Sequence, residues 1–193
     1  MKDPRVIFGR LGNSLFQYAA LYKLAKDNKT DFYFQDPKWF EGCEDEIKKL
    51  FGEGIGYLPY VALHLRRASN PINPNEPKYS ENPFYYDLSK SGYYIDATNK
   101  FPNRKFLVFS DDLDFAKFYF EGDKFAFDES ETDLESFNAM ASCDSQIIAN
   151  SSFSWWAAFL NPNPSKIVVA PGTDKWFADG IKRVGYPQDW LLL

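Results

Sequence analysis

The sequence predicts an α/β protein built on a parallel sheet with helices wound on both faces. Three observations carry that expectation. Short apolar runs alternate along the chain with amphipathic or apolar helical segments, which is how parallel sheets read in sequence. The run Tyr57–Arg67, Y-L-P-Y-V-A-L-H-L-R-R, reads as a buried strand that ends in charge. The stretch Gln146–Asn163, Q-I-I-A-N-S-S-F-S-W-W-A-A-F-L-N-P-N, runs from a buried strand through a serine-rich turn into an apolar helix.

Taken in order, Arg5–Phe8 is a short strand that ends in G-R-L-G-N, and Gly9 and Gly12 allow a tight turn there. The helix that follows, about Ser14–Asp27, places Leu15, Tyr18, Ala19, Tyr22 and Ala25 at three- and four-residue spacing. Asp31–Gln35 reads as a second strand and Glu44–Phe51 as a short helix. Together these segments make a first lobe, residues 1–56, too small to bury a proper core alone. From Tyr57 a second domain, 57–193, begins.

Its first strand ends at Arg66 and Arg67, where an open α/β sheet holds its ligand, and guanidinium groups there suit a phosphate. His64, the one histidine of the chain, reads as an orienting hydrogen-bonding residue. Ala68–Pro83, rich in proline and asparagine, is a long irregular connection, read either as a binding loop or as an insertion without a role. Then come a helix around Tyr85–Lys90, a strand Lys105–Phe109 ending in S-D-D, and a helix Leu113–Phe120. A short strand Phe125–Phe127 and a helix Thr132–Cys143 lead to the strand Gln146–Ala149. Ser151 and Ser152 are suited to cap the helix that starts near Phe153. That helix is apolar on nearly every face and so is buried, and its first N–H groups need caps, water or an anion such as a diphosphate. A strand Ile167–Ala170 and a helical turn near Asp174–Ile181 close the chain.

Composition bounds the function classes. With 19 Phe, 12 Tyr and 5 Trp the chain is a packed globular protein, and a net charge of -5 argues against a nucleic-acid surface. No apolar run approaches a membrane span and the N-terminus has no charged-then-apolar leader, so a soluble, cytoplasmic protein is expected. Cys43 and Cys143, far apart and without a C-x-x-C, read as reduced core residues and suggest no metal site.

Four segments, in order, resemble the α-1,2-fucosyltransferase family, relatives of the protein O-fucosyltransferases. G-R-L-G-N-S-L-F-Q-Y-A (Gly9–Ala19) is similar to the family's G-R-L-G-N-Q-x-F-Q-Y-A, and H-L-R-R-A-S-N (His64–Asn70) to H-x-R-R-G-D-Y. F-S-D-D (Phe109–Asp112) matches the family's F-S-D-D. I-I-A-N-S-S-F-S-W-W-A-A-F-L-N-P (Ile147–Pro162) resembles I-x-x-N-S-[ST]-F-S-W-W-x-A-x-L and is the most specific of the four.

The resemblance implies a GT-B-like fold, with a Rossmann-type parallel sheet in the C-terminal lobe and a much reduced N-terminal lobe on the acceptor side. It implies inverting transfer of fucose, or a related sugar, from a GDP-sugar to a glycan hydroxyl, with no metal and no cofactor beyond the donor substrate. Carried onto this chain, Arg66 binds the diphosphate and stabilises the leaving GDP, and Asn13 reaches the same region from the first lobe. His64 stands beside the donor; Ser151, Ser152 and Phe153 cradle the phosphates at the helix start. Asp111 is the candidate for guanine or ribose, with Asp112 either beside it or capping the next helix.

Ser69 stands where the family has an acidic residue, Ala68 and Asn70 replace glycine and tyrosine, and Ser14 replaces glutamine. Serine cannot take a proton from the acceptor hydroxyl at neutral pH, which leaves Glu76 in the long loop as a possible base. Two other readings stay open: a non-catalytic sugar-nucleotide or glycan-binding module, and a metal-dependent GT-A enzyme using Asp112-Leu113-Asp114 as a D-x-D site.

Overall fold

The computed structural model describes residues 42–51, 55–67, 85–182 and 184–193, together with Leu15, Gln17, Ala19 and Ala20. The expected strands Arg5–Phe8 and Asp31–Gln35, the glycine turn with Asn13, and the loop positions Ser69 and Glu76 lie outside the described residues. Leu15, Gln17, Ala19 and Ala20 are helical, in keeping with the periodicity read there. Helix α1 spans Glu44–Phe51, with Glu44, Asp45 and Glu46 in its first turn and Lys48 and Lys49 in its last, charges that both complement the helix dipole.

Six parallel strands follow: β1 Leu58–Leu65, β2 Phe106–Ser110, β3 Phe125–Phe127, β4 Cys143–Ile147, β5 Val168–Ala170 and β6 Leu191–Leu192. They lie in the order β3-β2-β1-β4-β5-β6, and every pairing is parallel. This is the Rossmann-type order, in which the chain winds outward from β1 in one direction and from β4 in the other. The crevice between the carboxyl ends of β1 and β4 is therefore the place where such a sheet accepts a ligand.

Between the strands run α2 (Tyr93–Thr98), α3 (Leu113–Tyr119), α4 (Asp133–Ser142) and α5 (Ser152–Leu160). Alternation along the strands divides their side chains between two cores, as a doubly covered sheet requires. Val61, Leu63, Leu65, Phe106, Val108, Ile147 and Val169 pack with Tyr93, Tyr94 and Ala97 of α2 and Ala116 of α3. Ala62, Phe109, Ile148, Val168 and Ala170 pack with Phe137 and Met140 of α4 and the aromatic body of α5. Ala19, Cys43 and Ile47 join this second core, so the described part of the N-terminal segment packs directly beside α5.

Several boundaries differ from the sequence reading, each for a local reason. The helix expected at Tyr85–Lys90 is only a 3-10 turn, Leu88–Lys90, capped by Asp87, and the true helix starts after Gly92, whose φ of 76° breaks the chain before Tyr93. The helix α4 stops at Ser142 rather than Cys143, and Thr132 is its cap, in a capping box with Glu135. β4 begins at Cys143, earlier than the apolar run suggested. The helical turn expected at Asp174–Ile181 is a 3-10 turn, Thr173–Lys175, followed by an antiparallel bridge between Tyr85 and Phe177.

Candidate donor site at the sheet crevice

β1 and β2 run in register with His64 beside Phe109 and Leu65 beside Ser110. Arg66 and Arg67 follow at once, and their side chains part. Arg67 belongs to the α2/α3 side: its guanidinium lies 3.7 Å from the Phe115 ring centroid, donates to Ser89 Oγ at 3.1 Å and sits 3.6 Å from Asp87 Oδ2. Asp87 also accepts from the N–H and hydroxyl of Ser89, and Tyr119 donates to the Ser89 carbonyl at 2.8 Å. Arg67 is thus a brace between the end of β1, the 3-10 turn and α3.

Arg66 pairs with Asp111 at the end of β2. The other oxygen of Asp111 accepts the backbone N–H of Arg67 at 2.9 Å. His64 is buried on the same side of the sheet as α5, its ring 5.8 Å from that of Phe153 in the first turn of α5. Burial, and then the positive charge of Arg66, lower its pKa to about 3, so the ring is neutral at physiological pH. Its Nδ1 has no hydrogen-bond partner among the described residues.

The turn from β4 into α5 is tightly held, though not as the sequence suggested. Ser151 is the N-cap residue in extended conformation, and its side chain makes no capping hydrogen bond. The buried Ser154 hydroxyl does the holding: it donates to the Ser151 carbonyl at 3.2 Å and accepts the Ala149 N–H at 3.2 Å. The first-turn N–H groups of α5 have no acceptor within their own helix, and the helix start carries partial positive charge. Arg66, His64, Phe153, Ser151 and Ser152 are so gathered around the carboxyl ends of β1 and β4.

Asn150 also holds this turn. Its buried amide donates to the Tyr86 carbonyl at 2.9 Å and the Trp176 carbonyl at 3.1 Å, fastening two remote segments to the residue before the helix cap. Only its place in the N-S-S-F-S-W-W motif marked it. Asp112 caps α3, with Oδ1 accepting the Phe115 N–H at 3.1 Å, and Asp114 lies within that helix. The first carboxylate of the D-x-D alternative is thereby engaged in the cap. No cluster of three or more His, Cys, Asp or Glu able to hold a metal occurs among the described residues. Cys143 is buried, and burial pushes its thiol up to about 12, which fits an inert core residue.

The two arginines separate in a testable way. For the GDP-sugar donor that the four motifs imply, Arg66→Ala is expected to weaken GDP binding by roughly 1.5–3 kcal/mol, the cost of losing a charged hydrogen-bonding partner. Arg67→Ala should leave GDP affinity within a few fold and instead lower the melting temperature. Equal losses of affinity in titration calorimetry would contradict the placement of the two side chains.

The fold and crevice define an α/β protein with Rossmann-like strand order and an arginine–aspartate pair beside its topological switch point. A family model described as glycosyl transferase family 11 matches residues 3–193, and the chain belongs to that family, as the four motifs suggested. The O-antigen biosynthesis glycosyltransferase WbnK of Escherichia coli is 33% identical, over 93% of this chain and 59% of the relative. An alpha-1,2-colitosyltransferase of Escherichia coli is 34% identical, over 75% of this chain and 54% of the relative. The chain spans between about half and three-fifths of the length of these curated relatives. No solved structure matches it. No helix among the described residues is long and apolar enough to cross a membrane.

Proposed function

We propose that the chain transfers fucose, or a closely related sugar, from a GDP-sugar to a glycan hydroxyl, with inversion and without a metal. The observation that carries this reading is that Arg66 follows β1 and α5 starts just after β4, the two neighbouring strands at the switch point of the sheet. A guanidinium and a helix N-terminus can together neutralise a diphosphate without a cation, and the same groups stabilise the charge that develops on departing GDP. The relatives' names, a glycosyltransferase of O-antigen biosynthesis and a colitosyltransferase, support the same class of chemistry.

In this reading residues 57–193 hold the donor, and residues 1–56 form the reduced lobe of a GT-B-like arrangement that faces the acceptor. Asn13 is the proposed diphosphate contact from that lobe. Ser151, Ser152 and Phe153 line the phosphates, and neutral His64 packs beneath them without adding charge. Asp111, paired with Arg66, and Asp112, which caps α3, stand at the β2 edge of the crevice. The acceptor hydroxyl attacks the anomeric carbon opposite the diphosphate, the sugar–phosphate bond breaks, and Glu76 is the candidate to take the hydroxyl proton. A second reading, a binding module without turnover, is favoured by one observation: Ser69 replaces the acidic residue of the family motif.

Thermal unfolding tests the donor site. GDP at about a hundredfold its dissociation constant adds about 2.7 kcal/mol of stability, which is roughly 5–10 °C in a chain of this size. The shift is expected to be the same with chelator and with manganese. A shift seen only with manganese would contradict metal-independent binding and favour the GT-A reading.

A further inference from the structure

We infer that Asp111 is a positioning residue for Arg66, and that its effect on donor binding runs through the diphosphate rather than through the base. This deepens the donor-site reading above and rests on it. The parallel register places Leu65 beside Ser110, so one step further along both strands Arg66 and Asp111 become neighbours across the sheet end. The carboxylate divides its oxygens between two tasks. Oδ1 accepts the Arg67 backbone N–H at 2.9 Å, and Oδ2 pairs with Nη1 of Arg66. Because the first bond is to backbone, the carboxylate is fixed to the end of β1 and cannot drift with the guanidinium.

The surroundings stiffen this anchor. Arg67 is stacked on Phe115 and held by Ser89, and Asp112 caps α3, so the residues following each member of the pair are fixed as well. The side chains of Arg66 and Asp111 are only 14% and 26% exposed, a setting in which charges are screened less than on an open surface. A guanidinium carries five donors in a rigid fork, so engagement of Nη1 by Asp111 is compatible with a two-point hold on a phosphate by the rest of the group. Pre-setting the long Arg66 side chain also lowers the ordering cost that binding would otherwise carry.

Asp111→Asn keeps an oxygen for the Arg67 N–H but removes the charge that holds Arg66. The test is titration calorimetry of the full chain with GDP and with inorganic pyrophosphate, for the unaltered protein, Asp111→Asn, Arg66→Ala and the double variant. Asp111→Asn is expected to weaken GDP and pyrophosphate by the same factor, about tenfold, and the double variant to bind no more weakly than Arg66→Ala alone. A loss confined to GDP would make Asp111 a nucleoside contact and overturn the inference, as would additive losses in the double variant. If Asp111→Asn lacks a native melting transition, Asp111→Glu, which keeps the charge but displaces it by one methylene, goes through the same cycle with the same expected and contrary results. Absence of GDP binding in the unaltered protein would instead overturn the reading of the site itself.

Discussion

Arg66→Ala is expected to abolish measurable sugar transfer while leaving the fold intact. Arg66 follows the last residue of β1, outside the hydrogen-bonded ladder, and its side chain is not part of either apolar core. Its removal therefore costs little packing. In the proposed reaction the charge it supplies matters most as the bond to the leaving group breaks, when negative charge gathers on the diphosphate. Removing one such preorganised group typically costs a hundred- to a thousandfold in turnover, about 2.7–4 kcal/mol, which exceeds the expected loss of GDP affinity. Turnover within about tenfold of the unaltered protein, in a variant with a native melting curve, would show that the leaving group is stabilised elsewhere.

The largest stability effect is expected at Trp155. It is wholly buried in α5, its ring 5.3 Å from Trp156, 5.2 Å from Phe159 and 5.4 Å from Trp190. Its Nε1–H donates to the Gly185 carbonyl at 3.0 Å, so one side chain ties the helix below the donor crevice to the C-terminal segment. Trp155→Ala should cost about 3–5 kcal/mol, since both the buried area and the bond to Gly185 are lost. Against a typical total of about 5–15 kcal/mol this is a large share. Denaturant unfolding measures it, and a loss under about 1 kcal/mol would contradict the role given to the ring. Trp155→Phe, which keeps an aromatic body but no N–H, should fall between the two.

Much of this was legible in the chain because local signals and tertiary structure agree. The helix Glu44–Phe51 has the bounds read for it in the sequence. The sheet and its Rossmann-like winding follow from the alternation of elements. The start of β4 before Gln146 was not legible, because Asp144 and Ser145, like Gln146, are too polar for a central strand unless each finds a partner. In the fold they do. Arg104 pairs with Asp144 at 2.6 Å, the Ile167 N–H donates to Ser145 Oγ at 3.1 Å, and the Gln146 amide donates to the carbonyls of Met140 and Cys143.

The helix Tyr93–Thr98 escaped for a related reason. Two long-range hydroxyl contacts place it: Tyr93 donates to the Ile148 carbonyl at 2.7 Å and Tyr94 to the His64 carbonyl at 3.0 Å. No six-residue window contains that information. At the site, sequence marked Arg66, Asp111 and the helix start, which the fold brings to the ends of the strands. It could not show that Ser154 rather than Ser151 braces the turn, or that Asn150 binds two distant carbonyls, since both depend on where other segments pass.

The central claim is that the crevice between β1 and β4 serves transfer from a GDP-sugar. Mass spectrometry of products from GDP-fucose and a galactose-terminated acceptor tests it most directly, with UDP-sugars as the contrast and Arg66→Ala as the control. The account predicts a fucosylated product from the GDP-sugar, formed in the presence of chelator and lost in Arg66→Ala. GDP binding with no product across GDP-sugars and acceptors would contradict it and leave a binding module.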